Sequence, residues 1–302
     1  MVHVFIVNTG VSKPGFAQEL RNILSEIPDL EYYVFSTYAP GHEAELAQTV
    51  VKTFDKEQIR IYSVGGNGTI RNIVNAVGLN ERVEYAWLPT HASRFLQAIV
   101  DDAKPFADVK ALVAGTAHPI DLIRANDMYL LNAFSIGIDS DLFQIANRTQ
   151  SLGFLNRAIP YFLGLVHSLI FSPCDSFEVT LDDNRFYGKT TEIFFGNGCI
   201  LGDGLHFSPD TCVTDGSAFY RILSEVYGKK RFDVVRALKT NNQAKLNRES
   251  FYGQTVNMQV ERTDHKPFLV NADGDLIEDT KFHVTLLHKK LHFVFPEGVT
   301  YE

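Results

Sequence analysis

The chain is poor in cysteine: Cys174, Cys199 and Cys212 are the only three in 302 residues. The odd number and the lack of any C-x-x-C spacing exclude a disulfide-stapled scaffold and a zinc knuckle, and fit a reducing, cytoplasmic compartment. It also lacks an apolar run of transmembrane length. The longest, Ile159 to Phe171, is about half of the roughly 20 residues a spanning helix needs, and Pro160 and His167 interrupt it. The first residues, Met1 to Asn8, have no basic n-region and their apolar run stops too early for a signal peptide, so they read as a strand. Positive charge is not in excess. Lys and Arg total 28 against 36 Asp and Glu, a formal charge of −8, which gives nucleic-acid phosphates little reason to bind the molecule as a whole. G-x-S-x-G is absent, and the ten histidines form no H-E-x-x-H, so serine-hydrolase and zinc-protease chemistry have no support. There is no internal repeat, low-complexity tract or Gly/Ser linker.

What is present describes a globular chain. Apolar residues make up 45% and charged residues 21%, close to soluble averages, and at roughly 100 to 200 residues per domain the length suggests two domains. The first third alternates two periods. Val2 to Val7, Leu30 to Ser36, Ile59 to Val64 and Val83 to Leu88 are β-rich runs, while Leu20, Ile23, Leu24 and Ile27, then Glu43 to Phe54, then Ile70, Ile73, Val74 and Val77 read as helices. This order predicts a mostly parallel, Rossmann-like α/β sheet with ligands at its carboxyl edge.

After about residue 124 the pattern changes to short strands. Met128 to Phe134, Ser176 to Leu181, Thr190 to Phe195, Ala218 to Leu223, Thr255 to Val260, Lys266 to Val270, Phe282 to Leu287 and Leu291 to Phe295 predict an antiparallel β domain. Leu152 to Ile170 and Lys229 to Leu246 are helical interruptions. The expected division is residues 1–124 for the α/β domain and 125–296 for a β-sandwich.

Gly65-Gly66-Asn67-Gly68-Thr69 lies between a buried strand and a helix. Uncapped amides and the helix dipole favour an anion there, phosphate above all. Glycines permit φ > 0 and close approach, and Thr69 adds a hydroxyl donor. The loop completes neither G-x-x-x-x-G-K-[ST] nor G-x-G-x-x-G, since Arg71 stands where the last glycine would be. A tight turn made for packing alone is the alternative.

This loop resembles the GGDGT signature of the diacylglycerol kinase catalytic domain family, shared with sphingosine kinases and, more distantly, NAD kinases. Other segments are similar in the right order: Val7-Asn8, Ile120 to Arg124, Leu131 to Asp139, Gly196-Asn-Gly198, Gly202 to Pro209, Thr214-Asp215-Gly216 and Asn271-Ala-Asp273-Gly274-Asp275. The resemblance covers nearly the whole chain. It implies an ATP- and Mg²⁺-dependent kinase of a lipid hydroxyl, with the phosphates and metal between an α/β domain and a β-sandwich, and with residues 297–302 returning to the first domain. It assigns Asn8, Gly65, Gly66, Asn67, Gly68, Thr69, Arg71 and Thr90 to nucleotide binding, Asp273 and Asp275 to catalysis, and Asp215 to a structural Mg²⁺. A plain Asp-Gly turn is the alternative at both Asp215 and Asp273.

Two departures bear on activity. Asn67 stands where the signature has aspartate, and an amide neither neutralises Mg²⁺ nor accepts a hydroxyl proton. Pro89-Thr90-His91-Ala92-Ser93-Arg94 replaces the family's Pro-x-Gly-Thr-x-Asn-Asp, with His91 or Arg94 as compensating positive charge. A degenerate relative that binds nucleotide or lipid as a regulator is therefore the second expectation, and an NAD kinase the third. Finally, Lys229, Lys230, Arg231, Arg236, Lys239, Lys245 and Arg248 against a lone Asp233 predict a basic amphipathic helix, either a solvated face or an approach to anionic headgroups. The expected partner is a lipid at a membrane surface, met by a cytoplasmic, peripherally associating protein, and the resemblance allows a homodimer.

Overall fold

The computed structural model describes residues 1–91, 93–150, 158–182, 184–201, 204–209 and 212–301. The chain forms two compact units, Met1–Leu122 with His288–Glu302, and Ile123–Leu287.

In the first unit the strands are β1 (Val2–Val7), β2 (Tyr32–Ser36), β3 (Ile59–Gly65), β4 (Val83–Pro89) and the start of β5 (Thr116–Ala125). Between them lie α1 (Phe16–Ser25), α2 (His42–Thr53), α3 (Asn67–Val77), α4 (Arg94–Ile99), a 3-10 turn at Lys104–Ala107, and α5 (Val109–Ala114). The parallel order is β2-β1-β3-β4, with Val4 opposite Ile61 and Ile61 opposite Tyr85. Strand β3 is buried along its whole length while edge strand β2 is half exposed, as expected of a central strand covered on both faces and an edge that is not. Helix α2 packs with α3 and α1 with α5. The helical segments from Arg94 to Ala114 are too short to show a period in the sequence.

The second unit holds β6 (Met128–Leu130), β7 (Ala133–Gly137), β8 (Ser176–Leu181), β9 (Asn184–Gly196), β10 (Ile200–Leu201), β11 (Leu205–His206), β12 (Ala218–Ser224), β13 (Ser250–Thr255), β14 (Asn257–Arg262), β15 (Phe268–Ala272), β16 (Asp275–Asp279) and the start of β17 (Lys281–Phe295). Its helices are α6 (Ile138–Gln150), α7 (Ala158–Phe171), α8 (Lys229–Lys239) and α9 (Gln243–Leu246). Strand β9 belongs to two antiparallel layers. Its first half pairs β8, which continues to β14 and β17, and its second half pairs β7 and β12. Ile193 and Phe195 of β9 enter the apolar core between the layers, and Phe194 enters a second core shared with α6, α7 and α8. The period-2 alternation of one strand therefore feeds two cores.

Several boundaries differ from expectation. The last two expected strands are one continuous β17, whose end runs parallel to β4 in the first unit, with Phe293 opposite Tyr85. Expected strand Thr255 to Val260 is divided at Val256 between β13 and β14. The expected helix from Leu152 starts outside the described residues and is seen from Ala158, and α6 was not expected. The basic helix ends at Lys239, where Thr240 leaves helical geometry and Asn241 takes φ 51°.

Candidate functional site

The glycine loop joins β3 to α3 at the carboxyl edge of the parallel sheet. Gly66 is the N-cap in an extended conformation, φ −87°, and no side chain caps the helix. Asn67 is exposed and Gly68 partly so. None of Gly65, Gly66 and Gly68 has positive φ; close approach, not left-handed backbone, is what calls for glycine here. A Cβ on Gly65 would lie 2.4 Å from Thr69 Oγ1, and one on Gly66 would lie 2.9 Å from His91 Cε1.

The surrounding side chains fix this turn. Thr69 is buried, and its Oγ1 accepts from Asn8 Nδ2 at 3.0 Å. Asn8 Oδ1 in turn accepts the Gly10 amide at 3.0 Å. Both ends of the Asn8 amide are thereby used in latching the end of β1 to the loop. The Gly65 carbonyl accepts from the buried Trp87 Nε1 at 3.0 Å and from the Thr90 amide at 3.3 Å. Thr90 Oγ1 bonds His91 Nδ1 at 3.2 Å. Arg71 is buried, donates to Asn72 Oδ1 at 3.1 Å, and sets Nη2 beside Gly68, 3.8 Å from where a Cβ would stand. Beyond Thr90 and His91 a cavity of about 520 Å³ opens, lined also by Leu96, Gln97, Asp101 and Lys104. The structure thus brings all eight residues assigned to nucleotide binding to one neighbourhood of the first unit. His91, expected as a compensating charge, stands beside Gly66, and what the structure adds is the cavity.

The acids assigned by resemblance lie in the second unit and make different contacts. Asp273, at φ 52°, accepts four bonds from three backbone amides. Oδ2 takes Leu131 at 2.6 Å and Asn132 at 3.3 Å, and Oδ1 takes Asn132 at 3.1 Å and Ala133 at 2.8 Å. Asp275 is exposed at the start of β16. Asp215 is exposed and closes an Asx turn onto the Ser217 amide at 3.0 Å. Among the described residues no three His, Cys, Asp or Glu side chains converge as metal ligands.

Two buried carboxyls were not picked out by the sequence as a pair. Asp139 Oδ2 accepts from Ser135 Oγ and from Asn271 Nδ2, both at 2.6 Å, and Glu192 Oε2 accepts the Asp139 amide at 3.1 Å. Burial pushes both carboxyls above their ordinary range, and the neighbouring Asp139 charge raises Glu192 further. Asn271 Oδ1 accepts the Gly274 amide at 2.7 Å, while the Asn132 carbonyl accepts the amides of Asn197 and Gly198 at 2.8 and 3.1 Å. The segments around Asn132, Asp139, Asn197 and Asn271 form one polar network. Glu192 had no signal, because a lone acid in an apolar strand matches no motif.

Comparison with known proteins defines the class. Residues 132–295, more than half of the chain, match the family described as YegS C-terminal NAD kinase beta sandwich-like domain, and the chain belongs to that family. Among relatives, a "Probable lipid kinase YegS-like" of Alcanivorax borkumensis is 25% identical over 85% of both chains. Another of the same name from Pseudomonas putida is 25% identical over 95% of this chain and 93% of its own. A solved structure of a diacylglycerol kinase from Bacillus anthracis str. Sterne matches with TM-score 0.65 at 16% identity, covering 99% of this chain and 98% of that one. A second from the same strain, named for the same activity, reaches TM-score 0.73 at 18% identity with the same coverage. The mostly parallel first sheet and the antiparallel sandwich are the diacylglycerol kinase-like fold.

Proposed function

We propose that this chain is a lipid kinase that transfers the γ-phosphoryl group of MgATP to a lipid hydroxyl. The observation that carries the reading is the uncapped N-terminus of α3, with Gly66, Asn67 and Gly68 at the sheet edge and the Arg71 guanidinium beside them. Such amides suit phosphate oxygens, which the helix dipole and a buried guanidinium favour further. The cavity past Thr90 and His91 gives room for a nucleoside. Magnesium enters with the nucleotide, since it is commonly held by substrate phosphates and few protein carboxylates.

Phosphoryl transfer depends mainly on positioning and charge stabilisation, while a general base contributes roughly 10²- to 10⁴-fold. Asn67 supplies no base and Asp273 spends its oxygens on backbone amides. The kinase is accordingly slow, and Asp273 is a positioning residue for the segment Leu131–Ala133. These same two features favour the second reading, a relative that binds nucleotide without efficient transfer.

Purified protein is incubated with labelled ATP and Mg²⁺, with mixed lipid micelles in one arm and NAD in another. Label in lipid supports the kinase reading, and label in NAD overturns it. No label in either arm, with an ATP-induced rise in thermal stability, selects the binding reading. If transfer is seen, Asn67→Asp should raise kcat by about tenfold or more. An unchanged rate with intact ATP binding would mean that the amide is the working group.

A further inference from the structure

Helix α7 contains no charged residue. Gly164, Leu165, Ser168 and Leu169 turn inward. Ile159, Phe162, Leu163, Ile170 and Phe171 are exposed, at 45, 62, 44, 56 and 67%. At roughly 100° per residue, Ile159, Phe162, Leu163 and Ile170 share one helical face, and Phe171 extends the patch around the helix end beside the exposed His167. Single exposed apolar residues need no explanation, whereas a row of four along one helix marks a contact surface.

The neighbouring helix supplies charge. Arg231 of α8 is buried, contrary to a wholly solvated basic helix. Its Nε donates to the Val226 carbonyl at 2.8 Å, Nη1 to the Ser168 carbonyl at 3.4 Å and Nη2 to Cys174 Sγ at 3.2 Å. It fastens the end of α7 to the start of α8, and Leu165 and Leu169 share a core with Val234, Val235 and Leu238. Lys245 pairs with Asp233 at 3.3 Å. Exposed on α8 and the residue before its cap are Tyr227, Lys229, Lys230, Phe232, Arg236 and Lys239. Of the acids near this edge, Glu225 lies 3.4 Å from Lys189, and Asp141 interacts with His167 and Arg231.

We propose that α7 and the exposed side of α8 dock on an anionic lipid bilayer. The apolar face of α7 enters the headgroup boundary, and Lys229, Lys230, Arg236 and Lys239 meet anionic headgroups. Charge complementarity selects this occupant. A chain of net charge −8 is repelled by an anionic surface in most orientations, and four cations beside an uncharged apolar helix reverse that locally. A protein groove would cover the apolar row without needing the cations. The inference rests on the lipid-acceptor reading above and names how that lipid is met.

The full-length protein is sedimented with vesicles of phosphatidylcholine alone and of phosphatidylcholine with phosphatidylglycerol. Binding to the anionic vesicles, weakened by salt, is expected. Phe162→Asp and Phe171→Asp should each lower it about tenfold. Lys229→Gln and Lys230→Gln should each lower it about fivefold, on anionic vesicles only. Unchanged melting temperatures would show that these variants fold. No binding of the parent protein, or equal binding by Phe162→Asp, overturns the proposal. So does a dimer in light scattering that Phe162→Asp dissociates without any vesicle binding, which would assign the face to a second copy. Detergent micelles separate this from the kinase reading. Phe162→Asp should keep transfer to micellar lipid and lose transfer on vesicles. A parent that binds anionic vesicles but transfers no phosphate in micelles leaves docking standing and removes the kinase.

Discussion

Asp273 Oδ2 accepts the Leu131 amide at 2.6 Å, across 142 residues of chain. With Asn132 and Ala133 it closes a clamp that ties the turn after β15 to the start of β7. Asp273→Asn replaces one acceptor oxygen with an amide NH2 donor facing backbone N–H groups, so it should destabilise the protein on the order of 2 kcal/mol or more. Asp275→Asn, at an exposed position, should stay within about 0.5 kcal/mol. Urea unfolding compares the two. Wild-type stability in Asp273→Asn with turnover lost would return Asp273 to the role of base.

Gly65→Ala should weaken nucleotide binding. The new Cβ would stand 2.4 Å from Thr69 Oγ1 and 2.8 Å from Thr69 Cβ. Thr69 has to move, breaking its bond from Asn8 Nδ2 and shifting the first turn of α3. The expected outcome is a lower melting temperature and a smaller ATP-induced shift. An unchanged shift would show that the turn is not the phosphate site.

His3 makes the acid side of the stability curve steep. Burial, then the Arg60 charge, lowers its pKa from 6.5 to about 4, and its Nδ1 lies 2.7 Å from Tyr62 Oη. Below pH 6.5 the unfolded chain takes up a proton that the folded chain refuses until about pH 4. Stability present above this window is lost as pH falls through it. His3→Phe, which can still stack on Tyr62, should flatten melting temperature over that range.

Glu192 acts in the opposite direction. Its folded pKa is raised well above 4.5 by burial and by Asp139. From about pH 4.5 upward the folded state holds a proton that the unfolded state releases, so stability falls with rising pH until the folded pKa is passed. Glu192→Gln keeps an oxygen for the Asp139 amide and removes the titration. Thermal melts from about pH 4.5 upward should show a flatter profile and a higher value for the variant. An identical slope would mean that the buried charge is compensated.

The sequence by itself determined strands β1 to β4 of the first unit and the place of the glycine loop. A strand buried on both faces, such as β3, has to be continuously apolar, and glycines ending it before a helical period leave one reading of the turn. It also determined that an antiparallel unit follows, since alternation is local information. Tertiary structure decided which polar groups meet. Asp273 and Asp275 look equivalent around Gly274, yet one receives backbone amides and the other is exposed. Arg231 looks like Lys229 and Lys230 but turns inward to Ser168 and Cys174. Glu192 sits in an apolar strand with no motif and becomes the partner of the Asp139 amide. Periodicity states which face a residue occupies. What lies opposite that face is set by pairings between distant segments, and the strength of a hydrogen bond or the pKa of an acid depends on that opposite group.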